Sequence, residues 1–540
     1  MLAAGTTVVA TLGDKQITPA VSGQTISFPY SGLEYTKQYT FTLPANSVSD
    51  LSGNILASSI TITFTTMTRP AVAKKLFDFV VGVDGDFKAA ITAATTASIS
   101  GDRFRIFFPN GDYNIGTNTG DANQKTVIAL PNISYIGEST NGVNLYNKPT
   151  TEGISITATM AFTNAANDIY MQDLNLLNKL DYHSGTFSGR AAALQDQGTR
   201  NIYKNVNLLS DQDTYYSGSG RSYFENGSIH GTVDFLCGGG DIFFNEITLY
   251  LEERTGNNIT APATASNWGY VFNNCTIDGF AITNGNFTLG RPWQNSPRSA
   301  YINTKMKVLP SAAGWTEMSV VPAVFAEYNS TTPDGTPIDL SSRKSTYTAS
   351  NTYVNPVLTA NQAAQYTLEN VVGGNDTWQP KLYTEQAETP VISIDGTTIS
   401  WTDNTYVLCW EICKDGKFVK FVASNSYEIP TDAVIGTVYT VRAANAMGGL
   451  SKESNPVQFN NTSTSTILLK ATKLKISQSD NYVVISNLPQ NSTVNVYGLT
   501  GILLLIKENV SESVRIPVNQ NLILQVKMQS GVEVFKILKR

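Results

Sequence analysis

Short apolar segments, often followed by asparagine, recur through the middle of the chain, and this repeat constrains the fold more than any other feature. They include Ile133–Gly137, Ile169–Leu174, Ile202–Val206, Tyr223–Asn226, Ile242–Asn245 and Tyr270–Asn274. Their spacing runs from about 20 residues to the mid-thirties, the step of one solenoid coil plus loops of variable length. A repeated strand unit at unequal spacing predicts a right-handed parallel β-helix. The asparagines are expected to stack as ladders whose side-chain amides bond along the coil axis. A second large β-sandwich is the rival reading. One helix is expected at Phe87–Ala97, which carries five alanines.

The flanks read differently. Period-two alternation at Thr7–Leu12, Tyr39–Leu43 and Ile60–Phe64, broken by Gly, Asp and Ser turns, predicts a small β-sandwich over residues 1–68. Residues 72–385 hold the predicted β-helix. Sandwich patterning returns over 388–460, with Val391–Ile394, Thr398–Trp401 and Tyr439–Asn445. Thr462–Ser465 reads as a linker. A last β-rich module follows at 466–540. The fold class is therefore all-β, a β-helix flanked by small β-sandwich modules, and at 540 residues the chain is too long for one ordinary domain.

Composition excludes several function classes. Charged residues make up 15% and the net charge is −6, so no basic stripe exists to hold nucleic acid. No run of about 18 apolar residues marks a membrane span. Met1–Gly5 lacks the basic start and apolar core of a signal peptide. An exported protein would then be a mature or trimmed form with an added Met. Cys409 and Cys413 share one strand face about 13 Å apart, too far for a mutual disulfide. Cys237 and Cys275 are expected to be free thiols. With only His183 and His230 and no Cys-x-x-Cys pair, no metal site is expected.

Chemistry concentrates in three segments: Asp211-Gln212-Asp213-Thr214-Tyr215-Tyr216, Gly231-Thr232-Val233-Asp234-Phe235-Leu236 and Leu289-Gly290-Arg291-Pro292-Trp293. Asp213 and Asp234 are 21 residues apart, which is one coil, so they are expected to be vertical neighbours. Taken alone, an Asp beside a turn is more often a turn former than a catalyst. Taken together and in this order, the segments resemble the pectin methylesterase family, carbohydrate esterase family 8, over roughly Phe79 to Trp378. Val83–Lys88, Ala313-Gly314-Trp315 and Glu327-Tyr328-Asn329 resemble further blocks of that family. Val48–Asn54 resembles a turn of bacterial Ig-like modules, here truncated. Tyr439–Gly448 resembles a fibronectin type III strand and turn. Asn495–Gly501 with Val532–Arg540 resembles type IX secretion sorting domains.

The resemblance implies hydrolysis of methyl esters in pectin (methyl-esterified homogalacturonan) with neither metal nor cofactor. It implies Asp234 as nucleophile, Asp213 as general acid and then base, Arg291 as the partner that keeps Asp234 ionised, and Gln212 as oxyanion donor. Trp293 and Tyr216 would stack on galacturonate rings. Three positions depart from the family pattern. Arg190 opens a segment that usually opens with glutamine, and would donate in its place. Cys237 stands where a phenylalanine usually lines the ester methyl, and Asp211 stands where tyrosine is commoner. A bacterial, monomeric enzyme that is secreted or at the cell surface or periplasm is the resulting expectation. Two other readings stay open at this point: a non-catalytic pectin-binding β-helix and a β-helix lyase. No Gly-x-Ser-x-Gly elbow supports a serine esterase.

Overall fold

The computed structural model describes residues 10–460 and 474–539, apart from positions 14, 18–19, 23–24, 29, 31–32, 51, 121–122, 185–188, 349–350 and 529–530. The expected linker Thr462–Ser465 lies outside the described residues. The chain divides into two compact units, Met1–Asn460 and Asn461–Arg540.

Three parallel ladders form the centre of the first unit. The first climbs through Phe104–Phe108, Ile133–Gly137, Tyr170–Asn178, Asn201–Leu209, Arg221–Gly231, Asp241–Asn245, Tyr270–Asn273, Arg298–Ile302 and Val324–Tyr328. The second holds Thr126–Ile128, Met160–Phe162, Leu194–Asp196, Tyr215–Ser217, Val233–Gly238, Asn257–Pro262 and Phe287–Gly290. The third joins Val143–Asn147 to the later halves of the long strands and to Thr248–Leu251 and Thr276–Gly279. This is the parallel β-helix that the repeat predicts.

The recurring asparagine has a backbone cause. Between the first and third ladders the chain bends through left-handed residues: Asp173, Asn205, Asn226, Glu246, Asn274, Asn303 and Asn329 all have φ between 50° and 58°. Asn and Asp tolerate this region because a short polar side chain bonds locally. Side chains then stack as ladders. Asn144 donates to Asp112, Asn175 to Asn144 and Asn207 to Asn175, at 2.7, 2.9 and 2.8 Å.

Inside the coils, Tyr203, Phe224, Phe244, Phe272 and Tyr301 occupy one register position in successive turns. Neighbouring rings stack at 4.4, 4.9, 4.7 and 4.4 Å between centroids. Phe244 is fully buried in the middle of this column. Phe244→Ala is expected to cost about 3–5 kcal/mol, because neighbouring coils are tied to their strands and collapse poorly onto the cavity. Denaturant unfolding of the variant measures this.

The helix Phe87–Ala97 closes one end of the solenoid. Asp86 caps it by accepting from the Ala89 amide at 2.8 Å, and Phe87, Ala90 and Ala94 turn into the same core as Phe108 and Tyr135. It covers edge groups that would otherwise invite pairing with another chain.

Residues 10–65 form a four-stranded antiparallel sheet and a separate two-stranded hairpin. Residues 392–458 form two antiparallel sheets, of three and four strands. This second module docks on the outside of the first ladder. Phe421 stacks on Phe77 at 4.2 Å, Phe418 meets Phe107 at 4.9 Å, and Arg105 and Arg442 donate to the carbonyls of Ala446 and Glu138. The catalytic candidates lie on the second ladder, away from this contact. All four cysteines are buried free thiols. The second unit is a five-stranded antiparallel sheet over Lys475–Ile537, with Val483, Ile485, Val494, Val496, Leu524 and Val526 in its core. Among the described residues, no helix is long and apolar enough to cross a membrane.

Candidate active site

The two acids and Arg291 span four consecutive coils of the second ladder, those of Tyr215–Ser217, Val233–Gly238, Asn257–Pro262 and Phe287–Gly290. Tyr215 faces Leu236 and Tyr216 faces Cys237, the same step that separates Asp213 from Asp234. The Asp213 amide donates to the Val233 carbonyl at 3.2 Å, so the two acids sit in adjacent coils. Both backbones are left-handed, with φ of 60° and 51°.

A β-bulge sets Asp234 apart. Val233 pairs with Asn258 and Leu236 with Thr260, so Asp234 and Phe235 together oppose one residue. The extra residue breaks strict alternation, so that Phe235 and Leu236 both enter the core while Asp234 is re-aimed. Gly231 makes the approach possible. A Cβ there would lie 2.5 Å from the Asp211 carbonyl oxygen and 2.2 Å from Phe235.

Arg291 comes from two coils above Asp234, past the intervening strand Asn257–Pro262. It leaves the strand Phe287–Gly290 with its amide bonded to the Thr260 carbonyl at 2.9 Å. Its guanidinium then forks onto Asp234, Nε to Oδ1 at 2.8 Å and Nη2 to Oδ2 at 2.5 Å. This two-point geometry fixes the carboxylate plane as well as its charge.

The electrostatics separate the two acids. Burial raises both, since Asp213 is 5% exposed and Asp234 is 6% exposed. Asp213 is pushed up to about 7, by burial first and by the Asp234 charge second. Asp234 is raised by burial too, but its fork from Arg291 opposes that rise. Asp213 has no such fork. One acid is thus set to carry charge and the other to carry a proton near neutral pH.

The remaining candidates surround this pair. Gln212 is half-buried, and its carbonyl accepts from the Ala191 amide at 3.1 Å. Tyr216 is half-buried against Ala158, Ala161 and Ala192. Trp293 is half-buried, its amide bonded to the Pro262 carbonyl. Two expectations change. Cys237 is 1% exposed, with its thiol on the Tyr215 carbonyl at 3.7 Å and beside Asp213, so it backs Asp213 and does not line an open surface. Arg190 is engaged by Glu152, Nε to Oε2 at 2.9 Å and Nη2 to Oε1 at 2.7 Å, so it is not a simple stand-in for a free glutamine donor.

Three neighbours were not expected. Glu152 lies 38 positions before its partner, in a loop without periodicity, and no sequence signal marks it. Arg254 lowers the Asp234 carboxyl from a loop after the third ladder. Asp211, noticed only as a departure, is raised to about 6 by burial, and His183 lies 3.8 Å away. His230 is held by Glu252 at 2.9 Å and Ser228 at 3.0 Å. Among the described residues, no group of three or more His, Cys, Asp or Glu side chains is placed to hold a metal ion.

The family model described as Pectinesterase matches residues 78–375, more than half of the 540 residues, and contains every group of this site. The chain belongs to the pectinesterase family. The bacterial Ig-like domain model matches residues 2–66. Pectinesterase 2 of Citrus sinensis is 24% identical over 377 residues, covering 64% of this chain and 69% of its own. Pectinesterase/pectinesterase inhibitor 26 of Arabidopsis thaliana is 27% identical over 278 residues, covering 48% of this chain. The chain spans 25% of that relative's length. The pectin methylesterases of Erwinia chrysanthemi and carrot, both solved structures, are 24% and 19% identical. Their TM-scores are 0.45 and 0.46, and the alignments cover 57% and 59% of this chain and 99% and 98% of theirs.

Proposed function

We propose that this pectinesterase-family chain hydrolyses methyl esters of galacturonate residues in pectin, releasing methanol and pectate. The observation that carries the reading is the Arg291 fork on Asp234 beside an Asp213 raised to about 7. An ionised nucleophile and a protonated acid in adjacent coils are what acyl transfer from a methyl ester needs.

In the first half, an Asp234 oxygen attacks the ester carbonyl carbon, and the Gln212 amide donates to the oxyanion. A preorganised donor of this kind typically contributes about 3 kcal/mol. The C–O bond to the methyl oxygen breaks, and Asp213 gives that oxygen its proton, so methanol leaves and an Asp234–uronyl anhydride remains. In the second half, ionised Asp213 takes a proton from water. The hydroxide adds to the uronyl carbon, the anhydride bond breaks, and Asp234 returns as a carboxylate. Trp293 and Tyr216 stack on the sugar rings. Every step uses side chains of this chain.

Methanol release from methyl-esterified polygalacturonate, with and without EDTA, tests the reading. Methanol in both arms, with no unsaturated product absorbance, is expected. Binding without methanol would favour a pectin-binding module, and EDTA-sensitive unsaturated products would favour a lyase. We further infer a monomeric, secreted bacterial enzyme. Its 388–460 module is read as fibronectin type III-like, supported by the paired three- and four-stranded sheets. Its 466–540 module is read as a sorting-type domain.

A further inference from the structure

The best-formed ion pair near the two acids that the mechanism does not use is Arg190 with Glu152. Glu152, Arg190 and Gln212 belong to successive coils. The Gly153 amide donates to the Arg190 carbonyl at 2.6 Å, and Arg190 forms a parallel bridge with Gln212, whose carbonyl accepts from Ala191. The next residue along is Asp213. A guanidinium has therefore been brought to the strand beside the proton donor and then bound on one edge by a carboxylate, at 2.9 and 2.7 Å.

We propose that Glu152 and Arg190 act as one positioning unit, in which Glu152 holds the guanidinium and offsets its charge at Asp213. The proposal rests on the reading of Asp213 as the general acid. An uncompensated cation one coil from that acid would favour its ionised form, and the departing methyl oxygen would lose its proton source. A carboxylate bound to the cation reverses much of that field while still fixing where the guanidinium lies. The groups facing Asp213 from all sides fit this balance. Asp234 and Glu152 push its proton affinity up, Arg190 and Arg291 push it down, and the Cys237 thiol and Tyr216 phenol are neutral neighbours with raised proton affinities. Arg190 keeps 48% of its side chain exposed and Glu152 20%, so water screens the pair and each partner's effect is moderate.

A charge cycle tests the unit. The readout is the alkaline limb of kcat/KM for methanol release, which reports the acid of the free enzyme. Glu152→Gln leaves the guanidinium unopposed and moves the limb down by about 0.5–1 pH unit, a Coulomb shift at intermediate screening. Arg190→Gln leaves the carboxylate unopposed and moves it up by a similar amount. The double variant returns the limb to the wild-type position, whatever its absolute rate. A purely structural role would lower rates or melting temperature without these opposite shifts. Since the two single variants shift in opposite directions, either one alone decides the matter if the other does not fold. Wild-type methanol release with unmoved limbs, or with both limbs moved the same way, would overturn the proposal. Absence of methanol release from the wild type would instead overturn the functional reading beneath it.

Discussion

Asp234→Asn is expected to leave less than about one part in ten thousand of the methanol-releasing rate, the scale of loss seen when a covalent nucleophile is removed. The amide matches the carboxylate in size but cannot form the uronyl anhydride. It should also preserve the fold. Asp234 sits at φ 51° in the bulge, and asparagine is among the few residues that accept this left-handed conformation. Its loss leaves Arg291 without an anion, yet Arg291 keeps 28% of its side chain exposed and can be solvated. Circular dichroism and thermal unfolding should therefore resemble the wild type while turnover is gone. Retained turnover in this variant would remove Asp234 from the mechanism.

Asp213→Asn is expected to lower kcat/KM by about 10²- to 10⁴-fold, the usual contribution of a positioned acid–base group. Its effect on the pH profile is more diagnostic than the rate. In the wild type, activity requires Asp234 ionised and Asp213 protonated, so the profile is bell-shaped. The alkaline limb should fall near pH 7, because burial and the Asp234 charge raise Asp213 to about that value. The two limbs belong to the coupled pair and not to either acid alone. With asparagine at 213 nothing is left to titrate on the alkaline side, so that limb should vanish while the acid limb stays. An ester with a better leaving group than methoxide should suffer less from the substitution, because it needs less protonation. An unchanged alkaline limb would show that some other group donates the proton.

The sequence made the solenoid readable because its repeat has a local cause. A strand that must bend at a left-handed residue selects Asn or Asp there, as at Asn205, Asn226 and Asn274. The helix was readable because Phe87–Ala97 pairs an alanine-rich run with a capping Asp86. The three chemical segments are legible because together and in order they resemble one family, whereas an Asp beside a turn, such as Asp234 after Gly231, points to nothing by itself. Contacts between coils that follow no repeat, and contacts between modules, are not legible in the sequence. Glu152 meets Arg190 only once two loops are folded, and neither loop has periodicity. Nothing local in the sequence shows that Phe77 and Phe107 meet Phe421 and Phe418 of a later module. In the last module Tyr482–Gly498 is one long strand that runs through the polar stretch Asn487–Ser492, an extent that no alternation marks.

The central claim is that a covalent uronyl group passes through Asp234. Rapid acid quench during turnover of a methyl-esterified oligogalacturonate, followed by digestion and mass measurement, tests it most directly. A uronyl adduct on the peptide carrying Gly231 to Leu236, absent from Asp234→Asn, is the predicted result. An adduct on another peptide, or one that persists in Asp234→Asn, would contradict it.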